Sequence, residues 1–585
     1  MMDDALRHHR SGGFAEAEQI YRRILADHPR HPDCLHLLGM IAYQAGDLET
    51  AARLIREAIS IHASGVSYYA NLGTVLQAQG NLDEAERLYR HALHLKPGLS
   101  EVHVNLGNVL LARGNLDECI ACYKTALLLS PDCADAQNNL GNAQQQQGDL
   151  DAALASFRCA LAIKPDYAEA YFNIGNVCRA QNKLEEAVVN YLQALAIKPD
   201  YAEACYNLGN VYREQGKLED AFPLYKKALD LRPDYAQAGF GEALAQLLAG
   251  NFTVGWRNFE RRWQSIDHDT PPRDYPLPAW TGELLDSGKV LLWGEQGVGD
   301  EIMFAGLVPD AVRTGNRCVL HCDSRLRPLF ARSFPSVVTV ANDGTALPSE
   351  LDIASQLPLG SLPGLFRPAI SAFAATTSPY LFADPDAAKR LRDRYFDGRL
   401  LVGLAWYTNS VKTGQFRSID LSLLAPLLAQ PNVRWVSLQY GDHDALAGQA
   451  AAAKASILVD PAVNQLSDMD AFAAQIAAMD MVITIDNSTA HLAGALGTPV
   501  SVLLPFAPDW RWLLETSRSP WYPTMKLFRQ SQPGGWPSVV ARVKTALAAK
   551  SDELLQKSRL RQVAEEPSRH GPAPGGIAGA KPKPT

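Results

Sequence analysis

Glycine recurs at positions 39, 73, 107, 141, 175 and 209, each 34 residues after the last, and no other feature of the chain narrows the possible folds so sharply. Small residues follow twelve positions on, at Ala51, Ala85, Cys119, Ala153, Ala187 and Ala221. Alanine comes again seven later, at Ala58, Ala92, Ala126, Ala160, Ala194 and Ala228, and proline closes most units (Pro97, Pro131, Pro165, Pro199, Pro233). Glycine and alanine at fixed separation let two antiparallel helices approach closely, and proline, which has no N–H, ends the second of them. A helix pair of this size cannot bury its apolar face alone, so the units are expected to stack into an all-α superhelix. Six full units, a partial one before them with Ala17 and Pro29 in phase, and a degenerate one through NFTVGWRNFERRW place this region at 1–250.

On the first helix of five consecutive units an asparagine stands two positions before the glycine: Asn71, Asn105, Asn139, Asn173 and Asn207. Four units add another directly after it: Asn108, Asn142, Asn176 and Asn210. Residues three apart share a helix face, so identical phase in identical units aligns these amides along one surface. A carboxamide both donates and accepts, and a row of them suits the backbone of an extended peptide; the alternative is solvated positions copied when the unit was duplicated. The pattern is that of tetratricopeptide repeats, and VNLGNVLLARGNLDECIACYKTALLLSPDCADAQNNLGN resembles the repeats of protein O-GlcNAc transferases. The resemblance implies a protein or peptide acceptor held by the asparagines, although related repeats also serve as scaffolds with no enzyme attached.

The composition bounds the function class. At 585 residues the chain needs several cores, and 47% hydrophobic content with a net charge of -8 and a pI near 6.0 describes a soluble globular protein with no call for nucleic acid as partner. MMDDALRHHRSGGF lacks the order of a signal peptide, and no apolar run is long enough to cross a bilayer, so the cytoplasm is the expected compartment. Nine scattered cysteines suit a reducing environment. Cys119 and Cys122 form a C-x-x-C inside a helical pattern with no second pair at zinc spacing, and they read as packing residues, as do Cys318 and Cys322 around His321.

Beyond residue 288 the 34-residue rhythm stops and short apolar runs alternate with helical stretches: KVLLWGE, RCVLHC, VVTVAN, LLVGLAW, VRWVSLQ, MVITIDN and VSVLLP. Such alternation predicts parallel sheets covered by helices, here in two Rossmann-like halves over 289–385 and 386–550, joined to the repeats by a connector at 251–288. Ligands of such folds bind outside the carboxyl ends of the strands. The tail from Ser551, ending HGPAPGGIAGAKPKPT, is proline- and glycine-rich and reads as disordered.

Two motifs carry the chemistry. LLWGEQGVGDEIMFAG (291–306) has the outline of a phosphate-binding turn, with Gly294, Gln296, Gly297 and Gly299, yet where a P-loop would place lysine it has Asp300 and Glu301. In MVITIDNSTAHLAGALGTPVSVLLP an apolar strand ends at Asp486 and a helix begins near Thr489, so backbone N–H groups with the Ser488 and Thr489 hydroxyls form an anion site fit for a diphosphate. Asp486, Ser488 and His491 lie too close in sequence for a hydrolase triad, no G-x-S-x-G elbow is present, and His491 has no metal-ligand partner at the usual spacing.

WGEQGVGDEIMFAG, IDNSTAHLAGALGTPV and DWRWLLETSRSPWYPTMKLFRQ resemble bacterial tetratricopeptide glycosyltransferases whose catalytic part is like the ADP-heptose heptosyltransferases, a GT-B fold of glycosyltransferase family 9 type. The resemblance implies a metal-independent, inverting transfer from a nucleotide-sugar, which is a co-substrate, with no further cofactor. It implies Asp300 of the Gly299-Asp300 pair as the base that takes the acceptor hydroxyl's proton; a helix cap is the alternative role, and the two are compatible. It favours Arg417 of WYTNSVKTGQFRSIDL, with Lys412 as the second cation and Asn409 and Ser410 as further donors, for the departing diphosphate, while Asp486 holds sugar hydroxyls or caps its helix. Arg511 beside Asp509 is read as lining the cleft, and two of Trp510, Trp512 and Trp521 as core. By GT-B analogy the closing helix of GGWPSVVARVKTALAAK crosses back to the first half, and flagellin or another surface protein is the acceptor. The rival readings are a saccharide or lipid-linked glycan acceptor with the repeats used for docking, and a scaffold without activity.

Overall fold

A computed structural model describes residues 1–266, 273, 275–345, 347–376, 378–410 and 414–564. They divide into two compact units, Met1–Val211 and the chain from Tyr212 onward.

The first unit is helical throughout. Antiparallel pairs follow one another, among them Val66–Ala78 with Leu82–Leu95, Ser100–Ala112 with Leu116–Leu129, and Ala134–Gln147 with Leu150–Ile163. The repeated glycine makes room for an aromatic ring on the second helix. A Cβ at Gly73 would lie 2.6 Å from Tyr89 Cε1, and Gly107 with Tyr123, Gly141 with Phe157 and Gly175 with Tyr191 repeat that distance. All four rings are fully buried, so the 34-residue period is also a period of ring insertion, and Tyr89 and Tyr123 share one core cluster. Within a pair the helices are joined by a tight turn such as Gly80, whose φ of 78° favours glycine, followed by Asn81, whose Oδ1 caps the next helix at Glu84 N (3.3 Å). Cys119 and Cys122 sit in the core, where burial raises both thiols to about 11, as packing residues would be.

The second unit opens with helices that continue the helical region expected to run to 250. Its first helices, Leu218–Leu231, Ala236–Leu248 and Phe252–Phe259, and the 3-10 turn Glu260–Gln264 belong with the α/β part. Aromatic packing explains this: Phe240 meets Phe259 at 5.6 Å between centroids, and Trp256 meets Trp510 at 5.4 Å and Trp521 at 6.3 Å.

Two all-parallel sheets follow. The first comprises β1 (Lys289–Trp293), β2 (Cys318–Asp323), β3 (Val338–Asn342) and β4 (Ile353–Pro358) in the order β3-β2-β1-β4. The second comprises β5 (Leu400–Leu404), β6 (Val433–Ser437), β7 (Ile457–Leu458), β8 (Met481–Ile485), β9 (Val500–Leu504) and β10 (Met525–Arg529) in the order β10-β9-β8-β5-β6-β7. Each order reverses once, between β1 and β4 and between β5 and β8, and the crevice outside the strand ends at such a reversal is where doubly wound sheets take ligands.

The closing helix differs from expectation twice. It runs Trp536–Ala564, past the predicted end at 550, because SDELLQKSRLRQVA is rich in helix formers and has no glycine or proline; residues 565–585 of the expected tail lie outside the described residues. Nor does its described core face the first sheet: Trp536, Val539, Val540, Val543 and Leu547 pack in one cluster with Leu400 and Val402 of the second sheet and Leu427 of the helix Ala425–Leu428. Among the described residues no helix is long and apolar enough to cross a membrane.

Candidate functional site

The loop after β1 delivers Asp300. Gly297 is the N-cap of the helix Val298–Ala305, and Asp300, in its first turn, accepts from Gly297 N at 3.3 Å. Gln296 reaches this turn with φ 63°, a left-handed conformation that costs a non-glycine residue about 1–3 kcal/mol. Gly294 is required by its neighbour, since a Cβ there would collide with the Glu301 carboxyl. Gly299 lies tightly against the opposite half: a Cβ there would sit 3.2 Å from His491 Cδ2 and 3.4 Å from Ser488 Cα. The starts of two helices, one after β1 and one after β8, therefore abut.

The second of these helices is Ser488–Ala495. Its cap is Asn487, whose Oδ1 accepts from Ala490 N (3.2 Å) and from Thr484 Oγ1 (2.9 Å), so capping falls to Asn487 and not to Asp486. Thr489 is fully buried, and among the described residues its Oγ1 and Asn487 Nδ2 have no hydrogen-bond partner. His491 lies under the turn, its Nδ1 3.0 Å from Tyr522 OH and its ring stacked on Trp512 at 5.2 Å. Burial, reinforced by Arg511 and Arg417, lowers its pKa to about 3, so His491 is a neutral ring that can donate or accept but brings no cation.

Charge at the site runs as one chain. Arg511 pairs through Nη2 with Asp300 Oδ1 and through Nη1 with Asp509 Oδ1. Arg417 lies 3.6 Å from Asp509 Oδ2 and 3.2 Å from Asp486 Oδ2. Asp300, Arg417, Asp486 and the Ser488–His491 turn, far apart in sequence, thus meet beside the carboxyl ends of β1, β5 and β8. Burial raises the pKa of Asp486 against the pull of Arg417. At Asp509 burial also opposes ionisation, yet Arg511 and Arg417 together hold its pKa below the ordinary range. Arg511 stacks over Trp510 at 4.6 Å, with Trp510, Trp512 and Trp521 all buried. Lys412 lies outside the described residues. Asn409 and Ser410 are exposed, and the Asn409 N–H donates to Tyr440 OH (2.7 Å).

Two buried groups had no signal in the sequence reading. Arg262 and Glu295 have fully buried side chains and form a two-pronged pair, Nε to Oε2 at 2.9 Å and Nη2 to Oε1 at 2.8 Å. Glu295 Oε1 also accepts from Gly360 N (2.9 Å) and Arg262 Nη2 donates to Ser361 Oγ (2.9 Å), so the pair ties the loops after β1 and β4 together. Glu301, one residue beyond Asp300, is pushed up to about 7 by burial, with the nearby Asp323 carboxylate adding to the shift and the Asp323 N–H bond (2.9 Å) opposing it. A carboxyl raised in the folded state contributes stability below its unfolded pKa and loses it as pH rises through the folded one. Between pH 5 and 8 the wild type should therefore lose about 2–3 kcal/mol relative to Glu301→Gln, measured by urea unfolding at each pH. A constant difference would place the Glu301 pKa in the ordinary range.

In the first unit the asparagines divide by role. Asn108 Oδ1 accepts from Tyr123 OH (2.7 Å) and Asn139 Nδ2 (3.0 Å), and Asn176 Oδ1 accepts from Tyr191 OH (2.7 Å) and Asn207 Nδ2 (2.9 Å). Both oxygens are thereby spent on joining repeats. Asn173 donates to Asn138 (3.0 Å), Asn71 pairs with His36 (2.8 Å), and Asn210 is buried. The expected double row is therefore a half-buried row before the glycine and a mixed one after it, in which Asn108 and Asn176 bond to the next repeat, Asn210 is buried and Asn142 is half-buried. Asn105, Asn108 and Asn139 line a concavity of about 680 Å³ with Glu101, Asp135 and Tyr167, and Asn142 lines a second of about 400 Å³.

Comparison with known families agrees with this helical pattern. Profiles described as "Tetratricopeptide repeat" match residues 3–66, 66–96, 98–166 and 202–235, and one described as "TPR repeat" matches 175–215. The N-terminal half is built of tetratricopeptide repeats. Such repeats support a protein-interaction role. Protein FlbA of Caulobacter vibrioides is 30% identical over 331 residues, 53% of this chain and 54% of that protein, so the chain spans about half the length of the curated relative it matches. Among solved structures, YrrB, described as a TPR protein with an unusual peptide-binding site, is 25% identical over 32% of this chain and 97% of its own, with a TM-score of 0.28. MamA is 27% identical over 28% of this chain and 97% of its own, with a TM-score of 0.26.

Proposed function

We propose that the second unit is a GT-B glycosyltransferase that moves a sugar from a nucleotide-sugar to a hydroxyl of a protein acceptor, and that the repeats bind that acceptor. One observation carries the reading: Asp300, Arg417, Asp486 and the Ser488–His491 turn converge at the carboxyl ends of two parallel, doubly wound sheets. Asp300 acts as the base for the acceptor hydroxyl in this reading. Arg417 and the N–H groups at the start of the Ser488 helix offset the charge growing on the departing diphosphate. A single direct displacement inverts the anomeric centre. The acceptor lies along the concavity of Asn105 and Asn139, whose amide groups suit a peptide backbone.

Calorimetric titration of the full chain with ADP-, UDP-, GDP- and CMP-sugars tests this. One of them is expected to bind, and Arg417→Ala to weaken it by about 10- to 100-fold, as loss of a charge-assisted contact does. If none binds to the folded protein, the transferase reading fails and the repeats become the function to pursue.

A further inference from the structure

Arg511 is held in a way that suits a change of partner. Its turn, Trp510–Trp512, is capped by Asp509, which accepts from Arg511 N at 3.2 Å and also pairs with Nη1. That end of the side chain is anchored twice and rests on the Trp510 ring. The other end, Nη2, makes one strong contact, to Asp300, and a long one of 3.5 Å to Gln296 Oε1. The segments on both sides of this contact carry residues in costly conformations, Gln296 at φ 63° and Leu513 at φ 53°. Beside it lies the start of the Ser488 helix, where the fully buried Thr489 hydroxyl has no partner among the described residues. An anion bound at that helix start would therefore lie next to Nη2 and would compete with Asp300 for it. A guanidinium fork matches phosphate oxygens well, and a diphosphate brings more charge than one carboxylate.

We propose that Arg511 exchanges partners during the reaction: it holds Asp300 while the site is empty, and an incoming diphosphate takes Nη2, with Nη1 staying on Asp509 as the pivot, so that Asp300 Oδ1 is released toward the acceptor hydroxyl. This rests on the glycosyltransferase reading and adds to it a device that withholds the base until donor is bound. The aspartate and the anion are rivals for one guanidinium, so removing the aspartate's charge tightens the anion, provided that Arg511 is present.

The test is a double-variant cycle read by calorimetry with inorganic pyrophosphate on the full chain. Asp300→Asn is expected to tighten pyrophosphate about tenfold, within the usual range of coupling between two sites. Arg511→Gln is expected to weaken it, and Asp300→Asn added to Arg511→Gln to change affinity less than about twofold. Equal tightening in both backgrounds would mean plain repulsion between Asp300 and the anion and would overturn the exchange. No effect of Asp300→Asn would make the Asp300–Arg511 pair a fixed strut and would overturn it too, while the donor site itself still stood. Failure of pyrophosphate to bind the folded wild type would remove the exchange together with the donor site. Tryptophan emission checks that each variant folds, and Arg511→Met, which keeps the length of the side chain without its charge, replaces Arg511→Gln if that variant does not; the same loss of coupling is expected.

Discussion

Asp300→Asn is expected to lower the rate of sugar transfer to a protein acceptor by about 10²- to 10⁴-fold, the usual contribution of a positioned general base. Asparagine keeps the size of the side chain and an oxygen that can accept from Gly297 N, so the start of the helix Val298–Ala305 should survive. What it loses is the capacity to take a proton and the charge that holds Arg511. The two losses pull the kinetic constants in separable directions: kcat falls because the acceptor hydroxyl must attack unassisted, while KM for the donor falls because Arg511 is free for the diphosphate. The measurement is a steady-state assay of transfer to protein at saturating and limiting donor. A variant within a few-fold of wild type in kcat would confine Asp300 to the capping it visibly performs.

How far this site could be read from the sequence depended on how local its chemistry is. The repeats were legible because Gly73, Gly107 and their equivalents impose the same constraint every 34 residues, although the rings that need those glycines emerged with the packing. Strands such as β1 and β8 announce themselves with mostly apolar runs; β4 does not, because Ser355 and Gln356 interrupt it, the latter accepting from Trp293 Nε1 at 2.6 Å. Asp300 and the DNSTAH turn each carry a local signature. Their juxtaposition with Arg511, 211 residues beyond Asp300, does not, since nothing in WRWLLE states which carboxylate the arginine meets. The asparagine rows show a subtler limit. Phase alone places Asn105 and Asn108 on one face, but a hydroxyl fifteen residues on, at Tyr123, claims the second oxygen. In the next repeat Phe157 stands at the corresponding position and has no hydroxyl to offer Asn142.

Arg262→Ala should cost the second unit about 3–5 kcal/mol. The arginine side chain is fully buried, and so is that of its partner Glu295; truncation leaves a carboxylate in the interior with Gly360 N as a remaining donor. It also removes a guanidinium stacked at 4.6 Å from Phe259 and 4.4 Å from Trp263, and the bond to Ser361. The desolvation cost of the stranded charge dominates, so Arg262→Met with Glu295→Gln should recover much of the loss: glutamine still accepts from Gly360 N and leaves no charge behind. The measurement is favoured by composition, because all ten tryptophans, from Trp256 to Trp536, lie in the second unit and their emission follows it alone during urea unfolding. The midpoint should shift down with little change in slope for Arg262→Ala and return toward wild type for the double variant. A midpoint unmoved by Arg262→Ala would mean that water reaches Glu295 freely, and that the connector does not brace the loops that present Asp300.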